Sequence, residues 1–270
     1  MGNAYEERLG TDRMLPLIFK MSLPAVAAQL VNLLYNIVDR IYIGHIPGIG
    51  TDALAGIGVT SAVIVLISSF SAIVGAGGSP LAAIALGQGN RERAGQILGN
   101  GFILLLIFTI LTSATTYLFM EPILLFTGAS ENTIGYATDY LSIYLLGTLF
   151  VELSVGLNTF INTQGRPTIA MYSVLIGAIL NIGLDPLFIF TCGMGVKGAA
   201  LATILSQACS AIWVISFLTS KKASLRLEYR YMKLHKGIIL SILALGVSPF
   251  IMASTESLVG FVLNSSLEKF

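Results

Sequence analysis

The sequence predicts an all-α integral membrane protein with seven membrane-crossing helices. Three observations predict it. Of 270 residues, 55% are hydrophobic and 11% are charged, where a soluble domain carries about 25% charged residues. The apolar residues fall into runs of about 20, the length that crosses a ~30 Å hydrocarbon core. Lys and Arg gather in alternate loops, as a positive-inside topology requires.

The spans follow in order at 15–44, 54–86, 94–119, 136–160, 168–190, 196–219 and 237–263. The second is too long for a straight perpendicular crossing, so it tilts, protrudes, or breaks at the GAGGSP run of 75–80, where Gly and Pro interrupt a helix. Arg8, Arg13 and Lys20 lie at the N-terminal end, Arg91 and Arg93 in the 2–3 loop, and Arg166 in the 4–5 loop. The 6–7 loop holds Lys221, Lys222, Arg226, Arg230, Lys233 and Lys236, while the 1–2 and 3–4 loops hold no Lys or Arg. Only Lys197 in the 5–6 loop breaks the alternation. The N-terminus is therefore expected in the cytoplasm and the chain in the cell membrane as a multi-pass protein. A cleaved signal peptide at Ala25-Val26-Ala27 fits poorly, because Lys20 interrupts the apolar region and that region continues past the site. Met1-Gly2 lacks the later Ser or Thr of a myristoylation motif.

Several chemistries are disfavoured. A net charge of +1 offers no bulk attraction for nucleic acid. Cys192 and Cys209 form no CxxC or Cys/His cluster and read as membrane-buried small hydrophobes. No GxxxxGK[ST] motif is present, so ATP is not an expected partner. His45 and His235 fall in loops, and no Ser/His/Asp set stands out, so the chain does not read as an enzyme. No cofactor is expected.

The polar residues inside the spans carry the functional signal. Asp185 lies in the run SVLIGAILNIGLDPLFIF of residues 173–190, one turn after Asn181 and directly before Pro186. An acid in mid-membrane costs roughly 3 kcal/mol on insertion scales, so it faces a protein interior or a watery path. In the first span Gln29, Asn32, Asn36 and Asp39 are spaced three, four and three apart, which is one helical face, with Tyr35 at its border. Single amides of this kind also serve as glue between helices. Arg40 next to Asp39 offers a second reading of that acid, as half of a surface ion pair. Glu152, Asn158 and Asn162 lie in the fourth span, Thr203, Gln207 and Ser210 on one face of the sixth, and Ser254, Thr255 and Glu256 in the seventh. Gly95 and Gly99 have the spacing of close helix packing. With no nucleotide motif, a solute carried by this chain would be driven by an ion gradient. Carboxylates that load and release H⁺ or Na⁺ would then do the work.

The run NTFINTQGRPTIAMYSVLIGAILNIGLDPLFIF of residues 158–190, with Asn181-x-x-x-Asp185-Pro186, resembles the span 4 to span 5 signature of the multidrug and toxic compound extrusion (MATE) family. The run KMSLPAVAAQLVNLLYNIVDRIYIGHIPG of residues 20–48 resembles its first span, including Pro24 and the Val38-Asp39 pair. The resemblance covers essentially the whole chain. It implies an ion-coupled antiporter of twelve helices in two pseudo-symmetric bundles. Residues 1–236 would be the first six-helix bundle and 237–270 the opening helix of a truncated second one. Aligning Ser22-Leu23-Pro24 with Val247-Ser248-Pro249 places Asn264 opposite Asp39. On this reading the seventh helix is poorly anchored, and Glu256 lacks its expected surroundings.

The resemblance also implies roles. Asp39 and Asp185 match the two acids of the first bundle's cavity, and Tyr35, Asn158, Asn181 and Thr203 match its polar neighbours. Pro24 matches a proline at which the first span bends. The expected ion-coupling set is Asp39, Asp185, Asn181 and Thr203, with H⁺ or Na⁺ as the ion and any metal limited to Na⁺ at Asp39 and Asp185. Tyr35, Asn32, Asn158 and Gln29 would contact amphipathic, cationic small molecules. Glu256 and Glu152 are further candidates. Two rival readings are a flippase for lipid-linked oligosaccharides, which shares the general architecture, and a non-transporting membrane scaffold. The scarcity of Lys and Arg inside the spans argues against the first.

Overall fold

The computed structural model describes the backbone of residues 14–267 and the side chains of Leu15 and residues 18–262. Arg8, Arg13, the Met1-Gly2 start and the Asn264 side chain lie outside the described residues. Among those residues the chain is helical throughout: α1 Met14–Gly44, α2 Gly50–Gly87, α3 Arg91–Leu118, α4 Met120–Phe126, α5 Ile134–Thr163, α6 Pro167–Pro186, α7 Val196–Thr219 and α8 Lys236–Leu267. A π-turn, Leu187–Thr191, extends α6, and a 3-10 turn, Tyr229–Tyr231, lies in the loop before α8. Seven of these helices are long and apolar enough to cross a membrane. They match the seven expected spans. The short α4 was not expected; its seven residues are too few for a membrane-length run.

Local chemistry sets the ends. Asn90 caps α3 by accepting a hydrogen bond from the Arg93 backbone N–H at 2.9 Å. Pro167 opens α6 at the position where a missing N–H costs nothing. Lys197, the cation that breaks the charge alternation, pairs with Asp139 at 3.3 Å.

α5 is the centre of the bundle and packs against α2, α3 and α7. Its small residues admit bulky neighbours: Ile204 of α7 fills the space beside Gly147, and Leu105 of α3 that beside Gly156. One apolar cluster, including Leu105, Leu157, Phe160 and Leu218, fills the half of the bundle toward the 6–7 loop. A second, including Ile43, Tyr140, Ile189 and Val196, closes the opposite end between α1, α5, the π-turn and α7.

Of the alternatives for the long second span, the break at residues 75–80 is excluded: α2 runs unbroken over 38 residues, about 57 Å at the α-helical rise, and so tilts or protrudes. The seventh span, α8, is not poorly anchored; it packs along α2 more extensively than any other helix pair in the fold. Both have one cause. A Cβ on Gly77 would collide with the Ile242 carbonyl oxygen, and one on Gly246 with the Ile73 carbonyl oxygen. The glycines let two backbones touch, as small residues do between membrane helices. Ser257 adds a hydrogen bond to the Ala62 carbonyl at 2.6 Å, and Phe70 meets Phe250 with ring centroids 5.0 Å apart.

Gly95 and Gly99 do serve packing, but their partner is Tyr231 of the 6–7 loop rather than another helix. That loop is clamped by buried amides. Gln164 Oε1 accepts from the Leu225 N–H at 3.0 Å. Asn100 accepts from the His235 N–H at 2.8 Å and donates to the Lys233 carbonyl at 3.0 Å. Cys192 and Cys209 lie on the outer surface of the bundle, and Cys209 falls within a membrane-length helix.

Candidate functional site

α1, α5, α6 and α7 surround a cavity of about 410 Å³. Its walls include Gln29, Asn32 and Tyr35 from α1, Asn158 and Asn162 from α5, and Gln207 and Ser210 from α7, set among Ala25, Val155, Met171, Val174 and Ala178. All four residues expected to contact substrate are therefore in one place, and no wall residue carries a charge. The walls are fixed by short bonds. Ser154 donates to Gln207 Oε1 at 2.8 Å, Ser210 to the Ser173 carbonyl at 2.8 Å, and Asn158 to the Ala170 carbonyl at 3.3 Å.

The helical stripe on α1 is narrower than its spacing suggests. Asn36 is exposed and donates to the Asn32 carbonyl of its own helix at 2.7 Å. Asp39 remains on the inner face. Arg40 is exposed and its charge still acts on Asp39, while Asp39 lies on the inner face beside Asp185, so the two acids form a pair across the α1–α6 seam.

The pair lies just past the cavity. The α1 wall ends at Tyr35, one turn before Asp39; the α6 wall ends at Ala178, one turn before Asn181; the α7 wall ends at Gln207, one turn from Thr203. Asp185 is fully buried and Asn181 is 2% exposed. Asn181 Nδ2 donates to Asp185 Oδ1 at 3.2 Å and reaches Thr203 Oγ1 at 3.5 Å. The four-residue spacing on α6 puts both groups on one face. Beyond Pro186 the helix widens into the π-turn, closed by the Cys192 N–H on the Leu187 carbonyl at 2.8 Å. Such turns recur at functional sites. Tyr140, buried on α5, was not among the expected site residues, yet its hydroxyl faces Thr203 and its ring lies near Asp39. Its polar tip in an apolar run was the signal available.

Three buried oxygens here have no hydrogen-bond partner: Asp39 Oδ1, Asp185 Oδ2 and Asn181 Oδ1. Two carboxylates this close do not both stay bare in a low dielectric; a shared proton or a bound cation relieves them. The donors are all oxygen, which suits H⁺ or a hard cation such as Na⁺. Among the described residues no group of three or more His, Cys, Asp and Glu side chains is placed to hold a metal ion.

The other candidates lie elsewhere. Pro24 sits within α1, one residue before the cavity-lining Ala25, and the helix continues through it. Glu256 is exposed on α8, beside Met252, Thr255 and Val259, and is not brought to the acid pair. Glu152 is 1% exposed on α5 and faces α2 rather than the cavity.

The sequence profile of the MatE family matches residues 24–187, a stretch that holds Pro24, Asp39, Asn158, Asn181 and Asp185. The multidrug export protein MepA of Staphylococcus haemolyticus is 28% identical over 243 residues, which is 90% of this chain and 53% of that protein. An FAD transporter of Shewanella oneidensis is 34% identical over 194 residues, 70% of this chain and 42% of that protein. The chain thus spans about half the length of the curated relatives it matches. Among solved structures, the inward-facing conformation of a multidrug resistance MATE family transporter superposes with a TM-score of 0.81 at 27% identity, over 92% of this chain and 56% of that one. A structure of a MATE transporter in the bent conformation superposes with a TM-score of 0.83 at 28% identity, over 92% and 55%. With a family match across more than half its length and the acid pair, cavity and seven spans in place, the chain belongs to the MATE family of transporters.

Proposed function

We propose that the intact protein exports amphipathic, cationic organic compounds across the cell membrane in exchange for inward H⁺ or Na⁺, with its N-terminus in the cytoplasm. The observation that carries this reading is the placement of the Asp39–Asp185 pair one turn beyond a neutral, partly apolar cavity. Gln29, Asn32, Tyr35 and Asn158 contact the compound, and the apolar wall solvates its hydrophobic part. Asp39 and Asp185 take the ion, and Asn181 fixes Asp185 by donating to it, with Thr203 as the next link. Loading the ion draws α1 and α6 together at the pair. Pro24, where a helix lacks one backbone hydrogen bond, lets the free half of α1 follow. The cavity between the same two helices then changes shape, so ion and compound exclude each other. Residues 1–236 form the working first bundle and α8 begins the second; rocking of the two bundles exposes the site alternately to each side.

The identity to an FAD transporter favours a second reading, in which the substrate is a larger anionic molecule. The cavity walls carry no Lys or Arg to receive phosphates, which weighs toward the first. That same lack counts against a flippase for anionic lipid-linked sugars.

The test is ethidium export from energised cells expressing the completed transporter, with the H⁺ and Na⁺ gradients collapsed separately. Export that stops with one gradient, and in Asp185→Asn, supports the reading and identifies the ion. Export that survives both collapses contradicts ion coupling. No ethidium export, but retention of FAD transport, favours the second reading.

A further inference from the structure

A third buried carboxyl remains unused. Glu152 is 1% exposed, and neither carboxyl oxygen has a hydrogen-bond partner. The backbone of Ser71 on α2 lies beside it. Among the described residues of the helices packed on α5, α2 and α5 itself contain no Lys, Arg or His, α3 has only Arg91 and Arg93 in its first turn, and α7 has only Lys197, which pairs with Asp139. α3 offers a hydroxyl: Leu105 packs on Gly156, so Thr109, one turn further along α3, shares the level of Glu152, and Thr109 Oγ1 is also buried without a partner. The titratable group nearby is Tyr144, about two turns back on α5, which lies close enough to feel the charge of Glu152 and whose hydroxyl faces Ser68 of α2. Ser68, Ser71 and Thr109 do not titrate.

A buried carboxylate with no cation and no side-chain donor beside it is disfavoured relative to the neutral acid. Two features connect Glu152 to the rest of the bundle. The first is a seam of small residues. Thr159 lines the cavity and also touches the position of Gly75 on α2; Gly156 follows, and Ser71 and Glu152 lie one turn further on. The second is a pair of buried phenols. Tyr144 and Tyr140 stack with centroids 6.2 Å apart and rings inclined by 17°. Tyr140 reaches Thr203 and lies near Asp39, so the phenols span the distance between Glu152 and the acid pair.

We propose that Glu152 is a third proton-carrying site of the bundle, exchanging its proton with the cavity along the α2–α5 seam and linked to the Asp39–Asp185 pair by Tyr144 and Tyr140. The step is a simple transfer: the O–H bond of Glu152 breaks as water enters the seam, the proton passes to that water, and the carboxylate left behind accepts from the Thr109 hydroxyl and the entering water. The link to the pair rests on the reading of Asp39 and Asp185 as the ion site; the exchangeable proton on Glu152 does not.

Infrared difference spectroscopy of the purified chain tests this. The C=O band of a protonated carboxyl should shift when H₂O is replaced by D₂O, persist in the Asp39→Asn/Asp185→Asn protein, and vanish in Glu152→Gln. A band that survives Glu152→Gln, or that fails to exchange within hours in the wild type, overturns the proposal. Tyr144→Phe should move the band, since the acid loses its polar neighbour; an unmoved band overturns the link. The wild-type exchange and Tyr144→Phe decide the matter even where Glu152→Gln does not fold. Loss of ethidium export with this band intact counts against the export reading alone.

Discussion

The α1–α6 seam and the α2–α8 seam are built on opposite principles. At α2–α8, glycines bring two backbones into contact and aromatic rings lock them. At α1–α6, two acids face each other beside a cavity of about 410 Å³, and α1 has few contacts besides α6. Close-packed backbones have one arrangement. A polar seam whose oxygens lack partners has a reason to rearrange when a proton or cation arrives. The first seam holds the bundle's shape, and the second is where that shape responds.

Substitutions should separate the two. The largest effect is expected from Gly246→Leu, which forces a side chain into the Ile73 backbone. Overpacking of this kind costs about 3 kcal/mol or more where backbone must shift. The purified protein should lose thermal stability in detergent, and an unchanged midpoint would mean the helices do not touch there. Next come Asp185→Asn and Asp39→Asn, which should leave that midpoint nearly unchanged while ethidium export falls about tenfold or more, the size of one lost charge-assisted bond. Export at the wild-type rate would move the ion site elsewhere. Asn181→Ala removes only the donor to Asp185 and should reduce export about fivefold, in line with a net ~1 kcal/mol hydrogen bond. Asn158→Ala should weaken ethidium binding about two- to threefold by fluorescence titration, with the ion dependence of export unaltered. Lys197→Gln breaks an exposed ion pair and should change export by less than about twofold.

The two seams also differ in how legible they were. Apolar run length located every span, and α7 begins and ends at the expected residues because Gly195 and the basic 6–7 loop bound it. Each acid was legible because an intramembrane carboxylate is costly wherever it occurs. Residue spacing alone does not bring Asp39 and Asp185 together; only the family resemblance grouped them, and the packing of α1 on α6 places them side by side. The glycines of residues 75–80 were ambiguous, since Gly that frees a helix to break is the same residue as Gly that lets a neighbour approach. Only the position of α8 decides between them. The same limit hid the direction of Asn36, whose spacing fits the inner face, and the role of Gly95 and Gly99, whose partner is Tyr231 of the distant 6–7 loop rather than a helix. Tyr140 was passed over because an aromatic in a span is usually packing, and its hydroxyl matters only once Thr203 stands opposite.

The central claim is that Asp39 and Asp185 act as one unit. A double-mutant cycle on ion-dependent ethidium binding tests it most directly, with Asp39→Asn, Asp185→Asn and both together. Groups that share one ion are strongly non-additive. Each single variant should lose the ion dependence of binding, and the double variant should be no worse than either. Losses that add, with each single variant keeping half of the ion dependence, would show two independent carboxyls and contradict the account.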